Sequence, residues 1–406
     1  MKPARPLRLV FVDDEPQMLT VLRAVLRPMQ EEWDMSFVES GERALALMAE
    51  QPCDVVVSDM RMPGMNGAQL LNEVMKRHPQ TIRMILSGFA DEELVLKCVG
   101  TTHQYLTKPF DLGRLQAALQ RIASLNARLA SPDLQRLVAQ IPCLPSMPSV
   151  YVQIIEALQV PDCPLDRISA IVRTDPALAA KILQLVNSAF FGFAREVASI
   201  TEAVQLLGVG IIRSLALTVK LFSSFDAAAF RDFPLGQVWQ HSLRTGMLAR
   251  QLAGLENADD PLLEQAFTAG LLHDIGKLIL AANLPAEYLD LVKRARAADC
   301  PLAQAEQEMF NATHADVGAH LLGIWGLPVP LVEAVALHHA PSNSGDSRFS
   351  ALTAVHVANL LSQQRNDGVS SLLAARVDAA YLKRLGLRDR LEVWHVKTRS
   401  APPECL

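Results

Sequence analysis

Hydrophobic periodicity changes once along the chain, near residue 130, and that change limits the fold more than any single motif. Before it, the runs LRLVFV (7–12), DVVVS (54–58), RMILS (83–87) and QYLT (104–107) are β-rich and mostly apolar throughout. Strands of that kind are covered on both faces, as in a parallel sheet. Stretches with helical spacing, such as MLTVLRAVLRPM and GERALALMAE, lie between them. The alternation predicts a doubly wound α/β domain with a parallel sheet. Beyond residue 130 the strand signals vanish. A proline-punctuated segment, IPCLPSMPSV (141–150), follows a candidate connecting helix over 111–140. From there the pattern is helical with short Gly and Pro breaks, which predicts an all-α second half. The closing KTRSAPPECL is expected to fray.

A chain of 406 residues is too long for one core and suggests two or three domains. Its net charge of −5 is no footprint for sequence-independent nucleic-acid binding, which wants a basic surface. No helix-turn-helix with a basic recognition face stands out either, so direct nucleic-acid binding is not expected. The six cysteines form no CxxC pair and suit a reducing compartment. The apolar run at the N-terminus is short and interrupted at once by acids, unlike a signal peptide. No segment reaches the roughly 18 uninterrupted apolar residues of a membrane span. A cytoplasmic protein without membrane insertion is the expectation.

In the first half, polar residues collect at one end of the expected strands. Asp13 and Asp14 close the first run, Asp59 follows DVVVS, Ser87 closes RMILS and Lys108 follows QYLT. Ligands of doubly wound sheets bind at the carboxyl ends of the strands, so these residues should converge. Carboxylates crowded there repel one another and suit a hard divalent cation such as Mg²⁺. With that cation bound, Asp59 is placed to accept a phosphoryl group whose oxygens Lys108 and Ser87 would hold.

FVDDE, DMRMPGMNG, ILSG and YLTKPF together resemble the response-regulator receiver domain over residues 7–124. The resemblance implies a five-stranded parallel sheet and Asp59 as the phosphoacceptor for a sensor histidine kinase. It implies Mg²⁺ held by Asp14 directly, by Asp13 through water, by Asp59, and by the backbone carbonyl of Arg61. Ser87 would be the switch hydroxyl, Tyr105 the aromatic switch, and the Lys108–Pro109 bond cis. Dimerisation through this domain is a further expectation.

In the second half, helical spacing turns ligand-type residues inward. Val238, His241, Thr245, Leu248 and Leu252 share one face. Taken as one helix, AFTAGLLHDIGKLIL aligns Asp274 with Phe267, Leu271 and Leu278, with His273 roughly a hundred degrees round. His314 shares a face with Val317 and Leu321, His338 and His339 close a helix, and Asn359 aligns with Leu352 and Val355. Such an imidazole and carboxylate set suits Zn, Mn or Fe.

The order His241, then His273-Asp274, is similar to the HD superfamily of metal-dependent phosphohydrolases. LPSMPSVYVQIIEAL, IVRTDPALAAKILQLVNSAFFG, SITEAVQLLGVGIIRSLAL and HADVGAHLLGIWGLP more closely resemble the HDOD domain, a helical relative found in bacterial signalling proteins. The expected layout is a receiver over 1–124, a linker helix over 125–140, an HDOD domain over 141–340, and a helical extension with a frayed tail over 341–406. HDOD domains commonly lack the full metal set, which implies a non-enzymatic output that binds downstream signalling proteins. Here His241, His273, Asp274, His314, His338 and His339 all match positions used by HD-GYP cyclic-di-GMP phosphodiesterases, and Lys277 matches their phosphate-facing lysine. Asn359 stands where those enzymes place an aspartate, Gln237 replaces an acid some of them use, and APSNSGDS replaces the Gly-Tyr-Pro run. The alternative, a phosphorylation-gated phosphohydrolase acting on a cyclic dinucleotide, would use this pocket with an incomplete set.

Overall fold

The computed structural model describes residues 6–79, 81–88, 102–108, parts of 113–120, 148–158, 160, 163–187, 197–223, 233–345, 347–363 and 377–400. The chain divides into two compact units, Met1–Ser149 with His320–Leu327, and Val150–Ala319 with Pro328–Leu406. The expected linker helix over 125–140 lies outside the described residues.

The first unit alternates β1 (Leu7–Val12), α1 (Pro16–Leu26), β2 (Trp33–Val38), α2 (Gly41–Glu50), β3 (Val55–Asp59), α3 (Gly67–Arg77), β4 (Ile82–Gly88) and β5 (Gln104–Lys108). The strands pair in parallel in the order β2-β1-β3-β4-β5. β3 is buried along its whole length, as its continuous apolar run requires. The edge strand β2 lacks such a run: only Trp33 is buried, and Asp34 is exposed. Helix starts follow local chemistry. Pro16 opens α1, the Ser40 hydroxyl accepts from Arg43 N–H at α2, and Asn66 and Gln69 form a reciprocal capping box at α3. Val10, Val12, Val56, Met60, Leu70, Val74 and Ile85 pack into one core between sheet and helices.

In the second unit, every regular element described is helical. These are α4 (Ser149–Leu158), α5 (Leu165–Arg173), α6 (Pro176–Val186), α7 (Ile200–Ser223), α8 (Leu235–Leu255), α9 (Asp260–Leu272), α10 (Ile275–Asn283), α11 (Pro285–Ala297), α12 (Leu302–Phe310), α13 (His314–Ile324), α14 (Val329–Leu337), α15 (Ala351–Gln363), α16 (Ala379–Arg384) and α17 (Arg390–Ser400). α8, α9 and α15 pack on one another and α14 lies against α9 and α15, so the core sits where these four meet.

One expectation needs correction. His273 and Asp274 do not lie inside one helix: α9 ends at Leu272, Asp274 takes a non-helical conformation (φ −99°, ψ 9°), and α10 starts at Ile275. No Gly or Pro marks that break, so periodicity runs through it unseen. Lys397–Ser400 form the last turn of α17, where Thr398 Oγ1 donates to the Trp394 carbonyl at 2.7 Å; residues 401–406 lie outside the described residues. Among the described residues one stretch, Ile200–Leu221, is long and apolar enough to cross a membrane by length and composition, with a mean hydropathy of 1.6, although non-helical Gly208 kinks it. Glu202, Gln205 and Arg213 break its apolar run, which is why counting uninterrupted residues passed it over. Two-thirds of it (67%) is buried within the protein, as expected of a core helix.

The C-terminal helix is clasped to α8. Buried Trp394 donates from Nε1 to Glu256 Oε1 at 2.8 Å, and Arg390 Nε donates to the same oxygen at 2.8 Å.

Candidate functional site

At the sheet's carboxyl edge, the register sets strand ends side by side. Val12 lies opposite Ser58, Asp59 opposite Leu86, Ser87 opposite Thr107 and Gly88 opposite Lys108. Asp13 and Asp59 thus stand at corresponding positions on neighbouring strands, roughly 4.8 Å apart in the pairing direction. Ser87, one residue before the end of β4, and Lys108, the last of β5, lie on the next two strands along. The side chains of Ser87, Tyr105 and Lys108 lie outside the described residues, as does Pro109.

Both buried acids make the same local bond. Asp13 Oδ1 accepts from Glu15 N–H at 2.9 Å, and Asp59 Oδ2 accepts from Arg61 N–H at 2.7 Å. Each is an Asx turn, which bends the chain away from its strand and fixes the carboxylate at the bend. Asp13 and Asp59 are 1% and 7% exposed, and Asp14 is half-buried. The donor set is all oxygen, which fits a hard cation such as Mg²⁺.

In the helical unit the inward residues gather around Asp274, which is buried in the break between α9 and α10. Asp274 Oδ2 lies 3.4 Å from His273 Nε2, 3.6 Å from His241 Nε2 and 2.6 Å from Lys277 Nζ. Its Oδ1 lies 3.2 Å from His314 Nε2, which in turn is 3.0 Å from His339 Nε2. Asn359 Oδ1 is 3.0 Å from His241 Nε2. Two trios can each hold a metal ion, His241 with His273 and Asp274, and His314 with His338 and His339. Six helices or their ends deliver these groups: α8 carries His241, α9 and α10 flank His273-Asp274, α13 starts at His314, α14 ends before His338-His339, and α15 carries Asn359.

Two close backbone approaches make the convergence feasible. A Cβ on Gly270 would collide with Gly246 backbone where α9 crosses α8, the helices of His273 and His241. A Cβ on Gly276 would overlap the His314 carbonyl where α10 meets α13. Only glycine permits both contacts.

The imidazoles are oriented from behind. His273 Nδ1 donates to the Gly270 carbonyl at 2.8 Å and His338 Nδ1 to the Val335 carbonyl at 2.7 Å. His314 Nδ1 donates to Glu306 Oε2 at 2.6 Å. Each ring therefore directs Nε2 into the pocket, the outer-shell arrangement that fixes the tautomer of metal-binding histidines. Burial pushes His273 down to about 3 and His338 well below its ordinary value, so both rings are neutral and able to coordinate at physiological pH. For Asp274 burial works the other way, yet the adjoining His273, Lys277 and His314 prevail and hold it well below the usual carboxylate range. Asp274 Oδ1 and His338 Nε2 are buried without a hydrogen-bond partner. Those orphaned acceptors, among imidazole and carboxylate donors, fit Zn, Mn or Fe.

Sequence reasoning missed Glu306, Tyr288 and Ser362. Glu306 is fully buried and accepts from the His314 ring, the His314 N–H at 2.8 Å and the Tyr288 hydroxyl at 2.5 Å. Ser362 Oγ lies 3.0 Å from His241 Nδ1. A buried acid in the polar-looking AQAEQEMF, eight residues before a candidate ligand, was the available signal for Glu306. Lys277, expected to face phosphate, is paired with Asp274.

The chain matches the response regulator receiver domain over residues 9–120 and the HDOD domain over residues 144–341. It is 29% identical over 217 residues to an uncharacterized protein of Treponema pallidum, covering 53% of this chain and 42% of that one. It is 37% identical over 103 residues to the hydrogenase transcriptional regulatory protein HoxA of Cupriavidus necator, covering 25% of this chain and 21% of that one. The chain thus spans less than half the length of either relative. Among solved structures, an HDOD domain protein with unknown function from Geobacter sulfurreducens has the same fold, with a TM-score of 0.53 and 22% identity over 68% of this chain and 98% of that one. Asn359 and Ser362 lie beyond the matched HDOD region. By these two matches the chain carries a receiver domain followed by an HDOD domain.

Proposed function

We propose that this protein is a cytoplasmic response regulator in which a sensor histidine kinase phosphorylates Asp59 and the HDOD domain passes the signal on by binding other signalling proteins. The observation that carries this is the strand register, which sets Asp13, Asp59, Ser87 and Lys108 at adjoining strand ends. An Asp59 oxygen attacks phosphorus, the bond to the donor breaks, and the phosphoryl group becomes an acyl phosphate. Asp13, Asp14, Asp59 and the Arg61 carbonyl would hold Mg²⁺, which when bound neutralises charge on the transferred group. Lys108 and Ser87 engage the phosphoryl oxygens, and Tyr105 follows the change. Phosphorylation then favours whichever receiver state binds the phosphoryl group better, and a second copy of the chain would pair through that state. Nucleic acid is not a direct partner in this reading.

Incubation with a small acyl phosphate and Mg²⁺, read by intact mass, tests the proposal. A single hydroxylamine-sensitive phosphoryl group should appear and vanish in Asp59→Asn. A hydroxylamine-resistant adduct, or one that persists in that variant, would defeat it.

The inward-facing imidazoles favour a second reading, in which the HDOD pocket is a metal centre that hydrolyses a phosphoester such as a cyclic dinucleotide. A divalent ion there would polarise the ester and acidify water. Asp274 and the inward imidazoles would hold that ion, Glu306 would hold His314 in its ligating tautomer, and Lys277 would meet phosphate. Elemental analysis with turnover assays on cyclic dinucleotides tests it: bound metal and turnover lost in His273→Ala support hydrolysis, and absence of both leaves the binding role alone.

A further inference from the structure

Asp274 belongs to the His241 trio and reaches the other only through Oδ1, 3.2 Å from His314 Nε2, and the two trios differ in what already occupies their donors. We infer that the pocket holds one divalent metal ion, on the side of His314, His338 and His339, and that Lys277 and Asn359 close the His241–His273 side to a second. This rests on the reading of the pocket as a metal centre.

Spacing alone does not separate the two sides. Ligand atoms on the His241 side lie 3.2 to 3.6 Å apart, and on the His314 side the closest are 3.0 and 3.2 Å apart. Both approach the edge of a tetrahedron with metal–nitrogen bonds of about 2.0–2.1 Å, which is roughly 3.4 Å.

Hydrogen bonding does separate them. On the His241 side every inward atom has a protein partner. Lys277 Nζ donates to Asp274 Oδ2. Gln363 Nε2 donates to Asn359 Oδ1 at 2.9 Å, which turns the amide oxygen of Asn359 towards His241 Nε2. The His273 proton is fixed on Nδ1 by the Gly270 carbonyl, so its Nε2 is an acceptor, 3.2 Å from His241 Nε2. A proton on His241 Nε2 therefore serves both Asn359 Oδ1 and His273 Nε2, while the Ser362 hydroxyl shares its one proton between His241 Nδ1 at 3.0 Å and the Asn359 carbonyl at 2.8 Å. The network closes without a metal. On the opposite side, His338 Nε2 is a buried acceptor with no hydrogen-bond partner, and Asp274 Oδ1 has only His314 Nε2 beside it, at 3.2 Å. Neutral protein groups leave them unmet, and a cation between them would satisfy both.

Charge points the same way. The Lys277 ammonium cancels the Asp274 charge at Oδ2, and Asn359 brings none, so a dication there would meet a nearby cation with no compensating anion. Behind His314 stands the Glu306 carboxylate, which adds negative charge on the other side.

The test uses full-length protein without a polyhistidine tag, stripped of metal, loaded with Mn²⁺ and desalted. Elemental analysis should give one Mn per chain, with an electron paramagnetic resonance signal free of coupling to a second ion. That equivalent should survive in His241→Ala and be lost in His339→Ala, both partly accessible positions that spare the core. The pair Lys277→Met with Asn359→Asp should raise the count to two. Two coupled ions in the wild type overturn the inference, as does one ion lost in His241→Ala but kept in His339→Ala. A double variant that stays at one removes Lys277 and Asn359 as the closing groups. No metal in the wild type rejects the metal centre itself, a result distinct from the others.

Discussion

At the strand edge, Asp13 and Asp59 are held by backbone N–H groups two residues further along the chain, just past their strands, so each carboxylate is fixed by its immediate sequence. In the helical pocket, Asp274 is surrounded by residues 33 positions before it to 85 after it, delivered by separate helices. One site is local and built from oxygen, the other is assembled by tertiary packing and built mostly from nitrogen. A local site survives small shifts in helix packing. An assembled one depends on every helix crossing that feeds it.

The sharpest way to break this contrast is Asp59→Asn. Phosphoryl transfer should be lost completely, while the metal content of the pocket is unchanged; a change in bound metal would show that the sites are not independent. Next is Glu306→Gln, which removes the carboxylate behind His314. Metal affinity should fall by about 10- to 100-fold in a competition titration, as for other outer-shell partners.

The same variant has a pH signature in metal-free protein. Burial alone would raise Glu306, but the His314 charge and its hydrogen bonds prevail and lower it from 4.5; burial alone would lower His314, but Glu306 prevails and raises it from 6.5. A depressed acid stabilises above its unfolded value and loses that effect as pH falls through the folded one. A raised histidine stabilises below its unfolded value and loses that effect as pH rises through the folded one. The stability gap between wild type and Glu306→Gln should therefore be widest between 4.5 and 6.5 and narrow on both sides, measured by urea unfolding across pH.

A smaller effect is expected at the α10–α13 contact. Gly276→Ala forces a methyl group into the His314 carbonyl and should cost about 1–3 kcal/mol in thermal unfolding. Gly345→Ala, with open space around it, should leave Tm unchanged. The smallest effect concerns labelling. Burial pushes the Cys53 thiol up to about 12, so at pH 8 an alkylating reagent should modify the half-buried Cys163 and Cys300 and spare Cys53. Modification of Cys53 in native protein would mean that the sheet unit opens.

The same contrast governs what the sequence revealed. The acids at the strand ends were legible because residue type, strand end and order agree within short segments. Edge strand β2 was not among the named runs, since one-sided burial leaves Asp34 and Ser36 to break its apolar pattern. The pocket histidines were legible as inward helical positions. The break between His273 and Asp274 was not, because neither residue punctuates a helix. Glu306 was missed because only the packing of α11, α12 and α13 turns an acid in a polar stretch into the support of a histidine.

The clasp of Trp394 and Arg390 on Glu256 bears on where this domain can be cut. Glu256 caps α8, so the last helix steadies the end of the rod that carries His241, and α15 supplies the Asn359 and Ser362 that flank the same ring. A fragment trimmed at residue 341, where the HDOD match stops, would lose all of these at once. A stable fragment of the helical unit should therefore extend at least to Trp394.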